Sequence, residues 1–179
     1  MPQALAAPCA GDEAHEYHGS AYRGVQEVDH MAESECSLRG GSMLEQAILI
    51  SVQAHAGQMD KADMPYILHP LRVMMKMGSV TEMIVAVLHD VIEDTDWTIE
   101  NLKAEGFPEE ILAALDLLTK REGEAYDEFI QRAKQTDLSR KVKLADLDDN
   151  MNMKRIAKLE QKDIERFEKY HRSWQELKY

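Results

Sequence analysis

The chain has 179 residues, of which 44% are hydrophobic and 30% are charged, and its formal net charge at pH 7 is −12. That length suits one domain with a sizeable core, and the composition is typical of a globular protein. General nucleic-acid binding needs a basic face, so the excess of acidic residues argues against a nucleic-acid-binding protein. A phosphorylated small molecule can still be a ligand if a cation and a few Lys or Arg side chains locally offset the negative electrostatic field of the protein.

Neither a membrane anchor nor a secretory signal is indicated by the sequence. No apolar run approaches the roughly 20 residues that a membrane-spanning helix needs, and the first residues lack a basic segment followed by an apolar one. The two cysteines, Cys9 and Cys36, precede the part predicted to fold, which therefore has no disulfide framework. We expect a cytoplasmic protein, and the sequence leaves its oligomeric state open.

Residues 1–42 differ in composition from the rest of the chain. They hold five of the nine glycines, two of the five prolines, and seven acidic residues against two basic ones. No helical or alternating pattern there extends beyond one turn, so we predict a disordered extension. The periodic pattern begins at Met43, and we expect the folded domain to span residues 43–179.

From Met43 onward, apolar residues recur at helical spacing, and strand signals are nearly absent. Ser42 with Glu45 has the spacing of a capping box at the start of the first helix, and glycines follow several of the predicted helices. The predicted helices cover, approximately, residues 42–55, 67–77, 80–92, 98–105, 109–119, 126–134, 138–153 and 163–177. This pattern predicts an all-α fold, a single-domain helical bundle.

Three segments far apart in the sequence each place a His or an Asp in an apolar helical stretch. The residues concerned are His69, the adjacent pair His89 and Asp90, and Asp146. Two imidazoles and two carboxylates suit a borderline divalent ion such as Mn²⁺, Fe²⁺, Co²⁺ or Zn²⁺, and the lack of Cys argues against a structural zinc site. Any one of these residues alone is more often a hydrogen-bonded core group, but packing does not readily explain all of them together.

The segments that carry these residues resemble those of a known family. In the same order, they are similar to the HD-superfamily hydrolase domain of the RelA/SpoT group, which includes small stand-alone members. The matching segments are Ala54-His-Ala-Gly-Gln58, Pro65-Tyr-Ile-Leu-His-Pro70, Leu88-His-Asp-Val-Ile-Glu-Asp-Thr95, and Val142-Lys-Leu-Ala-Asp146 with Asn150. The resemblance spans residues 43–179 and implies an HD-type helical domain.

The resemblance also implies a role for individual residues. The ligands of one Mn²⁺, or of another divalent transition metal ion, would be His69, His89, Asp90 and Asp146. Glu93 and Asp94 would position or deprotonate the attacking water, and Asn150 would contact the nucleotide near the metal. Four further residues are candidate contacts to phosphate or ribose: Lys61, Lys120, Lys143 and Tyr170. The alternative for each of them is an ordinary surface or core position.

The activity that the resemblance implies is removal of pyrophosphate from the 3′ position of (p)ppGpp, which gives GDP or GTP. Some small members of the family also act as NADPH phosphatases. We therefore expect a metal-dependent phosphohydrolase of a phosphorylated nucleotide, with (p)ppGpp as the first expectation. The alternatives are the same metal centre acting on NADPH or another nucleotide, and a non-catalytic regulatory module that binds a nucleotide. A synthetase domain is not expected, because it would need a further long segment.

Two departures from the family pattern concern recognition of the base. The loop after Gly57-Gln58 usually carries an Arg-Lys pair whose Arg lies against guanine, but this chain has Asp60-Lys61. A carboxylate cannot supply the cation–π contact of a guanidinium. The second departure is Leu147-Asp-Asp-Asn-Met151, where an aromatic residue or His commonly precedes the Asn. Both departures leave the predicted metal ligands unchanged.

Overall fold

The computed structural model describes residues 42–156 and 158–179, so the extension predicted to be disordered lies outside the described residues except for Ser42. Within the described part the regular structure is helical, with one isolated β-bridge between Met59 and Pro65, and the all-α prediction is confirmed. In that same part of the chain, no helix combines the length and apolar character that crossing a bilayer requires.

The helices follow one another through short connections. They are α1 Met43–Ala54, α2 Leu68–Met74, α3 Val80–Leu88, α4 Val91–Asp94, α5 Ile99–Ala104, α6 Glu109–Leu118, α7 Tyr126–Ala133, α8 Asp137–Asn150 and α9 Gln161–Lys178, with a 3-10 turn at Met153–Arg155 before α9.

Side-chain caps explain where several helices begin. The hydroxyl oxygens of Ser42, Ser79 and Thr98 each accept a hydrogen bond from the backbone N–H three residues later. Each cap therefore satisfies a donor that the first turn of a helix cannot pair internally. Gly57 and Gly106, which follow α1 and α5, have positive φ angles of 79° and 91°, a backbone conformation that glycine adopts without steric cost.

Helix α3 lies at the centre of the larger core. Its last five residues, Ile84–Leu88, are almost completely buried, and the helix packs against α1, α2, α6 and α8. A helix that is apolar on every side is stable only when neighbours surround it. The C-terminal end of α3 is therefore fixed deep in the protein, where the next residue is His89.

Helix α8 is held on two sides. Val142 and Ala145 join the larger core, whereas Leu147 packs with Ile130 and Leu177 in a second apolar cluster formed with α7 and α9. Asp146 lies between these two sets of contacts. Its side chain is 4% exposed, so packing on both sides fixes the position of a buried carboxylate.

The central helix is not continuous to residue 92, and that part of the prediction is wrong. Helix α3 ends at Leu88, and a separate short helix, α4, begins at Val91. The ring Nδ1 of His89 lies 2.7 Å from the carbonyl oxygen of Ala86, and so it competes for the acceptor that helix continuation would use. The interruption places His89 and Asp90 in the junction between two helices.

Replacement of Leu115 by Ala tests the core on the side away from the polar residues. Leu115 is 0% exposed in α6, and truncation of such a side chain typically lowers the free energy of unfolding by about 2–5 kcal/mol. Met75→Ala is the control, since Met75 is 76% exposed and its truncation should change stability by less than about 0.5 kcal/mol. Equal unfolding free energies in urea titrations of the two variants would contradict the packing described here.

Candidate metal centre

Four side chains from three parts of the chain converge at the end of α3. His69 comes from α2, His89 and Asp90 from the α3–α4 junction, and Asp146 from α8. Nε2 of His69 lies 3.2 Å from Oδ1 of Asp146 and 3.5 Å from Oδ2 of Asp90. Nε2 of His89 lies 3.1 Å from Oδ2 of Asp90 and 3.7 Å from Oδ1 of Asp146.

Three of these four separations match the spacing of ligands around one cation, and the fourth, from His89 to Asp146, is slightly longer. An ion bound at about 2.0–2.2 Å to each donor sets neighbouring donors roughly 3.0–3.6 Å apart. The ligand atoms of His69, His89 and Asp90 lie within 4.8 Å of one another, and Oδ1 of Asp146 lies beside both imidazoles. The structure therefore brings together all four residues that the sequence singled out as metal ligands.

The hydrogen bonds of the two imidazoles direct both Nε2 lone pairs toward this point. Nδ1 of His89 faces the Ala86 carbonyl, which can only accept, so that nitrogen carries the proton. Nδ1 of His69 lies 2.7 Å from Oδ2 of Asp149 and donates to it. Nε2 of His89 is buried and makes no hydrogen bond to any group in residues 42–156 and 158–179. A buried ring nitrogen that faces the carboxylate oxygens of Asp90 and Asp146 fits a metal ligand better than a packing residue.

Lys143 and Asn150 hold the carboxylate of Asp146 from either side. Nζ of Lys143 lies 2.8 Å from Oδ2 of Asp146, and Nδ2 of Asn150 donates to Oδ1. Burial alone would raise the pKa of Asp146, but Lys143 and the two imidazoles hold it well below its usual range. Lys143 is itself buried, with Nζ 4.6 Å from the centre of the Phe129 ring. The structure thus places Lys143, a predicted substrate contact, beside Asp146, a predicted metal ligand.

Sequence reasoning missed Asp149, which orients His69. Asp149 is 3% exposed, accepts from Nδ1 of His69, and forms a two-pronged pair with Nε and Nη2 of Arg72 at 2.8 and 2.9 Å. Burial would raise its pKa, but the bonds from His69 and Arg72 lower it strongly. A carboxylate behind a ligating imidazole fixes the ring and its tautomer. The sequence contained one signal for Asp149, namely its spacing: it follows Asp146 by three residues and therefore lies on the same face of α8.

The acid pair Glu93 and Asp94 lies in α4, in the same segment that carries two of the ligands. Both side chains are exposed at the surface, and Oε2 of Glu93 accepts from the backbone N–H of Lys120 at 3.1 Å. Partial loss of solvent raises the pKa of both carboxyl groups, and the charge of Asp90 adds to the effect. A carboxylate with a raised pKa is a better proton acceptor than an ordinary surface Glu or Asp.

A cavity of about 150 Å³ adjoins the metal centre and has His69 in its wall. Two of the predicted substrate contacts, Lys61 and Asn150, line it, together with two cations that were not predicted, Arg155 and Arg166. Burial lowers the pKa of Lys61, and the positive charges of Arg166 and Arg155 lower it further. Cations gathered in a protein of net charge −12 favour an anionic ligand.

Tyr170 and Lys120 occupy different surroundings. Tyr170 is half-buried and packs against the cluster of Ile130, Leu147 and Leu177, where burial raises the pKa of its phenol. Lys120 donates its backbone N–H to Glu93. The packing of Tyr170 corresponds to the alternative of an ordinary core position. Lys120 contacts Glu93, one member of the acid pair, through its backbone N–H.

The departure at Asp60 has a structural consequence. Oδ1 of Asp60 accepts from the backbone N–H groups of Ala62 and Met64, at 2.8 and 3.1 Å, and thereby shapes the loop after α1. Oδ2 lies 2.8 Å from Nη1 of Arg155. The carboxylate therefore holds an arginine at the cavity, because it pairs with Arg155 of the 3-10 turn. The two residues are 95 positions apart, so no local pattern could have indicated the pair.

Comparisons with known proteins confirm the resemblance. The chain is 37% identical over 83 residues to a probable GTP pyrophosphokinase of Mycobacterium leprae, and 36% identical over 81 residues to a guanosine-3′,5′-bis(diphosphate) 3′-pyrophosphohydrolase of Aquifex aeolicus. These matches cover 44% and 43% of this chain but only 10% and 12% of the relatives. The chain therefore spans about a tenth of the length of the curated relatives that it matches. No family model matches it.

A solved structure shares the fold. It was described as a metazoan ortholog of SpoT that hydrolyzes ppGpp and plays a role in starvation responses, and it superimposes with a TM-score of 0.65 at 19% identity. The superposition covers 76% of this chain and 86% of that chain. At that identity the likeness establishes the fold, which is the all-α HD type expected from the sequence.

Replacement of Asp149 by Asn tests its effect on the metal centre. The amide keeps the size of the side chain but removes the charge behind His69, and loss of such a partner typically weakens metal binding about 10–100-fold. Titration calorimetry with Mn²⁺ measures the change. Asp148→Asn is the matched control, because the neighbouring Asp148 is 60% exposed and pairs with Lys76 at the surface. Equal affinities in the two variants would contradict the positioning role of Asp149.

Proposed function

We propose that this relative of RelA/SpoT-type hydrolase domains is a metal-dependent phosphohydrolase that removes pyrophosphate from the 3′ position of (p)ppGpp. The observation that carries the proposal is the convergence of two imidazole lone pairs and two carboxylate oxygens beside a cavity lined by cations. Relatives named guanosine-3′,5′-bis(diphosphate) 3′-pyrophosphohydrolase support the choice of substrate.

Four residues would hold the metal ion: His69, His89, Asp90 and Asp146. Their mixed nitrogen and oxygen donors suit a borderline first-row ion, and the family resemblance favours Mn²⁺. When bound in such a site, a divalent ion polarises a phosphoryl oxygen and lowers the pKa of its water from about 15.7 toward 7. The hydrogen bonds from Lys143 and Asn150 to Asp146, and from His69 to Asp149, keep these donors in place.

Glu93 and Asp94 would accept the proton of the attacking water. They are carried by α4, whose backbone is tied to Asp90 by the bond from the Asp94 N–H to the Asp90 carbonyl, at 2.9 Å. In the proposed step, the water oxygen bonds to the phosphorus attached to the ribose 3′ oxygen, and the bond between that phosphorus and the 3′ oxygen breaks. The 3′ oxygen leaves and takes up the proton that the acid pair accepted from the water, so the products are GDP, or GTP, and pyrophosphate.

Lys61 and Arg166 would offset the negative charge of the nucleotide phosphates. Both line the cavity that includes His69. Burial is the main cause of the lowered pKa of Lys61, and repulsion from Arg166, which lowers it further, would be relieved by a bound polyanion. Asn150 lines the same cavity and also donates to Asp146. It would therefore connect the nucleotide site with the metal centre.

The presence of Asp60 is the reason for considering a second substrate. Since a carboxylate occupies the loop position at which the family resemblance leads us to expect an arginine, recognition of the base would differ from the family pattern. The same centre acting on NADPH or another phosphorylated nucleotide is therefore the alternative. A panel of ppGpp, NADPH and common nucleotides, assayed with purified protein and Mn²⁺, separates the two substrates.

Replacement of Glu93 by Gln, or of Asp94 by Asn, separates an enzyme from a binding module. Each amide keeps the shape of the side chain and removes the proton acceptor, and loss of a general base typically lowers turnover about 10²–10⁴-fold. We expect at least one variant to lose about a hundredfold or more in kcat, measured as nucleotide product by ion-exchange chromatography, while Mn²⁺ content and melting temperature remain near those of the parent protein.

Asp96→Asn is the control for this pair, because Asp96 is an exposed acid just beyond α4. Parental turnover in both the Glu93 and Asp94 variants would exclude these residues as the base. A parent protein that binds a nucleotide and hydrolyses none of the panel would replace the proposal with a regulatory module.

A further inference from the structure

Arg155 is held at the wall of the cavity in an unusual way. Its Nη1 lies 2.8 Å from Oδ2 of Asp60, and its Nη2 lies 3.1 Å from the backbone carbonyl oxygen of Asp149 and 3.4 Å from Oδ2 of the same residue. Each terminal nitrogen is therefore bonded to at least one acceptor, and these bonds engage up to three of the five N–H groups of the guanidinium. Nε is buried and has no partner within the described ranges 42–156 and 158–179, so the flat face of the group is the part that these bonds leave free for a ligand.

The rest of the cavity wall suits a flat, partly apolar ligand. Met59, Ala62 and Ile156 contribute apolar surface next to Arg155. The volume of about 150 Å³ is smaller than the roughly 300–1,000 Å³ of pockets that enclose a whole ligand. The cavity therefore has room for one part of a nucleotide. The phosphates of such a nucleotide would lie toward the other part of the wall, which includes His69.

We infer that Arg155 is a specificity-determining residue whose guanidinium face stacks on the base of the bound nucleotide, and that Asp60 is the positioning residue that fixes it. The inference rests on the proposed function, because it assumes a nucleotide ligand. Planar guanidinium groups stack well on aromatic rings. An arginine whose edges are already bonded keeps its orientation, so little conformational freedom remains to be lost on binding. Ordinary phosphate contacts would instead use the edge nitrogens, most of whose N–H groups Asp60 and Asp149 already engage.

The test compares a probe with a base and a probe without one. Calorimetry measures binding of GDP, NADP⁺ and inorganic pyrophosphate to the full chain loaded with Mn²⁺. Loss of a stacking side chain costs about 1–3 kcal/mol per base, which is roughly a 5–150-fold change in affinity. Arg155→Met should weaken whichever of GDP and NADP⁺ the parent protein binds by about tenfold or more, and should leave pyrophosphate binding unchanged. With the hydrolysed substrate, KM should rise while kcat stays near the parental value.

Three further variants identify the origin of the effect. Arg155→Lys keeps the charge without the flat face, so it should resemble Arg155→Met. Asp60→Asn should weaken nucleotide binding in the same direction, and combining it with Arg155→Met should add little to the loss from Arg155→Met alone. Arg140→Met is the matched control, because Arg140 forms a surface pair with Asp137 at 2.8 Å, and it should bind every probe as the parent protein does.

Different outcomes contradict the inference and the proposed function. If the parent protein hydrolyses ppGpp or NADPH but Arg155→Met binds the nucleotide as tightly as the parent, the inference fails and the proposed function stands. If Arg155→Met weakens pyrophosphate and nucleotide equally, or Arg155→Lys restores binding, Arg155 contacts phosphate and the stacking role is wrong. A parent protein that neither hydrolyses any nucleotide of the panel nor binds GDP or NADP⁺ contradicts both.

Discussion

The burial of the Asp146 carboxylate beside two imidazoles is the constraint on which the rest of the site depends. An ionised carboxylate in the interior is strongly destabilising unless cations and hydrogen bonds compensate it. Lys143 and Asn150 bond to its two oxygens, and both imidazoles lie within 3.7 Å of Oδ1. A divalent cation at the point where these groups meet would add the remaining compensation, which explains why so many ionisable groups are found together in an apolar part of the protein.

The helices around the centre convert this electrostatic requirement into a fixed geometry. The last five residues of α3 are buried, so His89 and Asp90 follow them at a defined place, and α8 is packed from two directions around Asp146. Behind His69, the buried carboxylate of Asp149 connects the metal centre with Arg72 and Arg155. The same carboxylate thus contacts both a predicted metal ligand, His69, and Arg155 in the wall of the adjoining cavity.

The sequence was sufficient to predict the helices, and it singled out the four residues that the structure brings together at the end of α3, because polar residues that interrupt apolar helical faces are conspicuous in a linear pattern. It was not sufficient for the break between α3 and α4, which depends on the side chain of His89 bonding to the Ala86 carbonyl. It also could not indicate the ion pairs of Arg72 with Asp149 and of Arg155 with Asp60, whose partners are 77 and 95 residues apart. Such pairs arise only from the tertiary fold, and sequence spacing carries no trace of them.

The most direct measurement is anomalous diffraction from crystals of the protein grown with Mn²⁺. One manganese peak should lie within about 2.0–2.3 Å of Nε2 of His69 and His89, Oδ2 of Asp90 and Oδ1 of Asp146, by ordinary first-row coordination distances. A crystal with manganese bound elsewhere, or with these four side chains turned away from one another and no peak between them, would contradict the metal centre and with it the proposed chemistry.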